Sequence, residues 1–364
     1  MDQGKAKRYN RLKLISSIGN IITDISFWVV IIMSGLNILL AQICYRSFEQ
    51  PLIQFYFFVI LFAVFNFIIH FPLSFYSGFI LEHRFSLSTQ SLGRWMVEKM
   101  KSILVGLILG GIILTVFFVL LSWSSSWWWI LIWLFLLIFS VILSRIAPLV
   151  IFPLFFKFKS LENQQLKERI QDFAQKWNLQ ISGVYQFNLS KNTKKANAAF
   201  TGIGKSKRII LGDTLLEHFD EDEIEAIFAH EVGHYHHKHL IRGILLNTLI
   251  SFLGLWLIYH IYNLVLDLNS YESYQLEALP YLAIIFLFYG LVTGPLGNYI
   301  SRKYEYQADY FAVSTVGKSD VYKNSLKKLA DLNLADESPH PVIEFLFYSH
   351  PSIKHRIEKI AGAT

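Results

Sequence analysis

His230-Glu231-Val232-Gly233-His234 places two imidazoles four residues apart with a carboxylate between them. On a helix, positions i and i+4 share a face, so both rings can reach one metal ion. Two neutral imidazoles suit zinc, and Glu231 stands where it can take a proton from an attacking water. The surroundings read as helical. Asp220 and Glu223 fit an N-cap and capping box, and Ile224, Ile227 and Phe228 repeat at helical spacing. This helix is expected to begin at about Glu221 and to run without a break into a membrane span. Six of the twelve histidines lie between His218 and His239. Of these, His236, His237 and His239 miss the ligand spacing and read as interfacial residues or as supports of the ligands.

A catalytic zinc needs a third protein ligand and one open position. Glu305, in Glu305-Tyr306-Gln307-Ala308-Asp309, is the candidate, and Asp309 lies four residues on, placed to hydrogen-bond a ligating histidine. His234 and Glu305 stand at similar distances, roughly 9 Å along a helix, from the ends of two apolar stretches. Two antiparallel spans would therefore bring the three ligands together at one membrane edge.

The elements that must position them follow from composition. The 364 residues are 53% hydrophobic and only 16% charged, with mean hydropathy +0.40. Soluble chains carry about 25% charged residues, so this reads as a membrane protein with a water-exposed portion. The net charge of +6 is explained by a basic excess on one membrane face, and no nucleic-acid partner is expected. The single cysteine, Cys44, cannot form an intramolecular disulfide and reads as a small buried hydrophobe. Six apolar stretches are long enough to span: about 21–43, 52–81, 102–121, 130–151, 240–266 and 278–300, the last expected to kink at Pro295 and Gly297.

The fold class expected is a mainly α membrane protein of about six transmembrane helices, with a small α+β metallopeptidase domain on the cytoplasmic side. The chain divides into 1–152 with four spans, 153–239 with an edge strand and the HExxH helix, 240–300 with spans five and six, and 301–364 with the third ligand. Within the polar part, residues 161–177 read as an amphipathic helix and residues 182–187 as a strand. Residues 197–200 and 208–211 read as a hairpin around Gly202 and Gly204. Lysines and arginines gather at the N-terminus, in residues 82–101 and beside His230, while the opposite loops hold only Arg46. The positive-inside rule then puts both termini and the metal site in the cytoplasm. The basic run Lys191, Lys194, Lys195, Lys205, Lys207, Arg208 reads as a solvated face near anionic lipid. His70, Asn66 and Asn247, inside spans, read as packing groups or as the lining of a wet cavity.

HEVGH, followed by SRKYEYQAD and YSHPSIKHR and preceded by NAAFTGIGKSKRIILGDTLLE, closely resembles the type I CAAX prenyl endopeptidases, integral-membrane zinc peptidases of the gluzincin type. The resemblance extends over residues 72–93 and 147–166. It implies six transmembrane helices enclosing a chamber, and one zinc ion on His230, His234 and Glu305 near its cytoplasmic end, with Glu231 as general base. It also implies His350 and Arg356 near the oxyanion or substrate carbonyl, and Asn197 and Ala198 on an edge strand that pairs with the substrate backbone. The additional N-terminal span and the longer insertion of eukaryotic members are missing, which points to the cytoplasmic membrane of a bacterium; in a eukaryote it would be the endoplasmic reticulum.

The activity this implies is zinc-dependent endoproteolysis of a peptide or protein substrate, prenylated or otherwise membrane-associated, beside the lipid bilayer. Rival readings are a heat-shock-type quality-control metalloprotease, which has fewer spans, and a metal transporter or scaffold. A transporter would spread ionisable residues across the bilayer midplane, whereas these cluster at one edge.

Overall fold

The structure, a computed structural model, describes residues 3–201 and 208–362. Six of its helices are long and apolar enough to cross a membrane. Helix α1 (Gln3–Met33) ends at Gly35, whose φ of 72° turns the chain into α2 (Leu36–Ser47). The expected first span, 21–43, is therefore corrected: a left-handed glycine divides it, and the spanning helix starts nearer the N-terminus.

Helix α3 (Pro51–Phe75) passes through a π turn (Tyr76–Ile80) into α4 (Leu81–Arg84). Pro72 lacks the N–H that the helical ladder requires, and the wider turn follows within a few residues. Helix α5 (Leu92–Trp123) is capped by Ser91, whose Oγ accepts from Arg94 N. Helix α6 (Trp128–Ile146) continues through a second π turn (Ala147–Ile151), which contains Pro148, into α7 (Phe152–Phe155).

The polar part begins with β1 (Phe158–Ser160), α8 (Gln164–Lys176) and β2 (Gly183–Phe187). It continues with β3 (Ala198–Thr201), β4 (Arg208–Gly212), α9 (Asp213–His218) and α10 (Glu221–His236). The last two membrane helices are α11 (His239–Asn269) and α12 (Leu279–Val316), followed by α13 (Ser319–Asn333), α14 (Pro341–Phe347) and α15 (Ile353–Ala361). Helix α12 runs unbroken through Pro295. At 1.5 Å per residue it is about 57 Å long, roughly twice the hydrocarbon thickness, so its last turns project beyond the membrane.

The six long helices contact one another in a closed cycle: α1, α3, α5, α6, α11, α12 and back to α1. Six touching cylinders leave a central space as wide as one of them, about 10 Å. Burial shows how the ring is shaped. Phe55, Phe58 and Phe62 of α3, Phe118 and Leu121 of α5, Trp128 and Ile132 of α6, and Ile258 and Tyr262 of α11 are all buried at one end. Over the remaining stretches, 63–80, 96–117, 133–155, 240–253 and 283–301, no residue is buried. The helices are thus pinched together at one end and stand apart toward the other, enclosing a chamber. Helix α2 braces the pinched end, where Asn37 Nδ2 donates to Glu277 O at 2.8 Å and Tyr45 OH to Glu277 Oε2 at 2.8 Å. Cys44 is buried there and free.

At the open end, residues from both sides of the α11–α12 pair form a single core. Leu166, Ile170, Leu211, Leu215, Ile224, Phe228, Phe311, Tyr322 and Ile360 all belong to it. The sheet order is β1-β2-β4-β3, with β2 parallel to β4 and β3 antiparallel to β4, Ala199 facing Ile210. The expected hairpin is present, with β3 at the sheet edge; Gly202 and Gly204 lie outside the described residues.

Candidate active site

Helix α10 starts as its sequence demands. Glu223 N donates to Asp220 Oδ1 at 2.8 Å and Asp220 N to Glu223 Oε2 at 3.0 Å, a complete capping box. Ile224 and Phe228 are buried in the core, which fixes the helix's rotation, and Arg169 of α8 ties down its first turn through Asp222 and Glu225. The expected continuation into the next span does not occur. Lys238 adopts φ 56°, and this left-handed residue separates α10 from α11. Gly233 lets α12 come close: a Cβ there would lie 3.0 Å from Ala308 Cα, 3.1 Å from Ala308 O and 3.1 Å from Phe311 Cβ.

That approach brings the three expected ligands together. His230 Nε2 and His234 Nε2 are 3.1 Å apart. His230 Nε2 is 3.3 Å from Glu305 Oε2, and His234 Nε2 is 3.3 Å from Glu305 Oε1. Ligand atoms about 2.1 Å from a tetrahedral metal are separated by about 3.4 Å, so this spacing fits an ion at their centre. Glu305 Oε2 is buried without a hydrogen-bond partner, a costly placement for a carboxylate oxygen that a cation would relieve. Among the described residues this is the one His/Cys/Asp/Glu group able to hold a metal ion.

Behind His230 lies a charged network. Its Nδ1 is 2.9 Å from Asp309 Oδ1 and 2.9 Å from Tyr322 OH, and Tyr322 OH donates to Asp309 Oδ1 at 2.6 Å. Burial disfavours the charged imidazole, but the Asp309 and Glu305 carboxylates outweigh it and push the metal-free His230 up to about 9. The Tyr322 phenol is held far above its ordinary range by burial. No motif or spacing in the sequence points to Tyr322, which sits on a separate helix thirteen residues past Asp309.

Arg356, expected near the oxyanion or substrate carbonyl, lines the same cavity as Glu231 and His350. Its guanidinium is buried and engaged: Nε donates to Asp309 Oδ2 at 2.9 Å and Nη2 to Tyr322 OH at 3.0 Å. It balances the buried Asp309, since an unpaired buried carboxylate is strongly destabilising. His350 is exposed, with Nε2 3.5 Å from Glu305 Oε1 and Nδ1 3.0 Å from Ser349 Oγ. Glu231, His350, Asn197 and Ala198 all line a cavity of about 400 Å³ together with His230 and Glu305. Asn197 is exposed and its carbonyl accepts from Gly212 N at 2.9 Å.

The remaining polar candidates lie elsewhere. His236 packs on Trp177 and Phe311, away from the ligands. His70 joins α3 to α1 through Asn20 at 3.0 Å and Asp24 at 3.1 Å; Asn66 is half-buried and Asn247 exposed. The basic run is not simply a solvated face. Lys191 pairs with Glu98 at 3.2 Å and Lys195 with Glu82 at 2.9 Å, tying the approach to β3 to α5 and α4. Lys205 and Lys207 fall outside the described residues.

Comparison with known proteins matches this architecture in both halves. Residues 160–364 match peptidase family M48, and residues 2–157 match the CAAX prenyl protease N-terminal region, described as five membrane helices. Over that range four helices are long enough to span, with the shorter α2 beside them. An uncharacterized metalloprotease, YhfN, of Bacillus subtilis is 28% identical over 97% of this chain and 84% of its own. CAAX prenyl protease 1 of Saccharomyces cerevisiae is 31% identical over 79% of this chain and 67% of its own. The crystal structure of S. mikatae Ste24p superposes with a TM-score of 0.88 at 26% identity, covering 98% of this chain and 88% of that one. A helical ring over a small sheet, a His-His-Glu cluster at its mouth and these relatives agree: the chain belongs to peptidase family M48, as an integral, multi-pass membrane metalloendopeptidase of the CAAX prenyl protease family.

Proposed function

We propose that the metal is one zinc ion held by His230, His234 and Glu305, and that the enzyme cuts extended segments of lipid-anchored or membrane-anchored substrates at the cytoplasmic mouth of the chamber. The observation that carries this is the convergence of two imidazole nitrogens and a buried carboxylate within 3.1–3.3 Å of one another. An imidazole and carboxylate donor set of this size suits zinc. When bound, zinc would supply Lewis-acid polarisation and a readily deprotonated water.

The chain's own groups supply the rest. Glu231, in the cavity beside His230, takes the proton from the attacking water and passes it to the leaving amine. Ser349 O–H can donate to His350 Nδ1, which leaves Nε2–H as the donor aimed into the cavity, suited to the oxyanion of the tetrahedral intermediate. Among the described residues strand β3 pairs only with β4, so its other edge at Ala198 can take an extended substrate backbone as a further strand. Arg356 holds Asp309 and thereby the orientation of His230. The ring of helices limits access to narrow chains, which favours a segment tethered at the membrane over a folded protein. The basic excess beside the site supports a cytoplasmic orientation.

The test is cleavage of one CAAX-ended peptide, with and without a farnesyl group, by detergent-purified protein. Glu231→Gln should retain zinc and lose turnover by at least 10²-fold, in the range expected for a general base. Substantial turnover by that variant removes Glu231 from its role. Cleavage confined to the farnesylated peptide makes prenylated proteins the substrates; equal cleavage of both makes other membrane-tethered chains the substrates.

A further inference from the structure

The two histidines of the cluster are supported in different ways. His230 leans on the charged Asp309. His234 Nδ1 lies 3.0 Å from His239 Nδ1, and His239 Nε2 lies 2.8 Å from Gln307 Oε1. His239 is buried and stacks on Tyr304, with ring centroids 4.2 Å apart and planes 12° apart.

These contacts admit two proton arrangements, and only one leaves His234 open to a metal. An amide oxygen can only accept, so His239 Nε2 carries its N–H. A neutral His239 then offers an unprotonated Nδ1, and the donor to it is His234 Nδ1–H. That leaves the lone pair of His234 Nε2 facing His230 Nε2 and Glu305. Read in the opposite direction, with an N–H at the Gln307 end, the chain would put a proton on His234 Nε2 and close it to a metal.

The break after α10 makes this contact available. In a continuous helix a residue five positions on points about 140° away, and its ring could not meet that of His234. The left-handed Lys238 folds the chain back, so the first residue of α11 supports the last histidine of the motif. Gln307 is two residues past Glu305 on α12, so the ends of both final membrane helices reach this ring.

We infer that His239 and Gln307 form a neutral positioning relay that sets the tautomer and ring orientation of His234, separate from the charged support behind His230. The relay rests on the reading that His230, His234 and Glu305 hold the metal.

The experiment uses the full chain in detergent. It measures zinc affinity by chelator competition and the visible absorption of the cobalt(II)-loaded protein. Wild type should take up one ion, and His234→Ala should lose it. His239→Ala and Gln307→Met should each bind zinc 10- to 100-fold more weakly and shift the cobalt bands, as loss of a ligand's supporting partner does. His239→Gln, whose amide can accept from His234 and donate to Gln307, should regain most of the affinity. Should His239→Ala fail to fold, Gln307→Met and His239→Gln carry the test. Zinc affinity within twofold of wild type and unchanged cobalt bands in His239→Ala, or in Gln307→Met where His239→Ala does not fold, would overturn the relay and leave the ligand set standing. Zinc retained by His234→Ala would overturn both.

Discussion

His230 must be neutral to hold a metal, yet in the metal-free protein Asp309 and Glu305 overcome burial and keep it protonated up to about pH 9. Metal uptake at neutral pH should therefore displace a proton from it. The sign follows directly. Below about pH 9 the ion competes with that proton, so apparent affinity should rise by about tenfold per pH unit; above it, this contribution flattens. Calorimetry of zinc binding in buffers of different ionisation enthalpy checks this, with about one proton released per ion at pH 7.5 from this site. No release at that pH would mean that His230 is already neutral. The sequence pointed to His230 and His234 because helical spacing determines which side chains of one helix share a face, and to Glu305 because it stands at a similar distance from the end of an antiparallel span. It could not point to Tyr322, nor show that Arg356 turns toward Asp309, because those choices depend on which buried charge needs a partner after packing.

Helix α10 has its beginning written in its own residues, as the Asp220–Glu223 box acts within four positions. Its end is not written there. Apolar periodicity continues into α11, and the break at Lys238 is selected by contacts of His239 with Gln307 and Tyr304 across to α12. The packing of α10 on α12 turns on Gly233. In an open helix interior, Gly→Ala stabilises by about 0.5–1 kcal/mol. At Gly233 the new Cβ meets backbone atoms of α12 at 3.0–3.1 Å, which cannot rotate away as a side-chain tip could. Gly233→Ala should therefore destabilise by about 1–3 kcal/mol, as overpacking does. It should also part Glu305 from the histidines and weaken zinc binding. A higher melting temperature with unchanged zinc affinity would show that the two helices have slack here.

Across the whole molecule, the ring, the chamber and the polar core are held by different forces. Phenylalanines and tryptophans close the remote end, while the near end is held by the core that unites residues on both sides of α11 and α12. An even number of spans puts both chain ends on the site's side of the membrane. If the basic excess orients the chain, a tag on the N-terminus should be digested by protease in sealed inside-out vesicles and protected in right-side-out ones. The reverse pattern would move the site, with both termini, to the other compartment.

The sequence by itself determined the class of the protein, because apolar runs longer than a bilayer leave few alternatives to spanning helices. It also pointed to a metal site, because two histidines one helical turn apart share a face and an acid stands at the foot of an antiparallel span. Tertiary structure alone decided that α2 leaves the first span, that the ring pinches at one end, and that Arg356 supports Asp309. It also decided that His239 turns back on His234. Each depends on residues far apart in sequence coming into contact, where close packing and the cost of an unpaired buried group select one arrangement from the several that local preference allows.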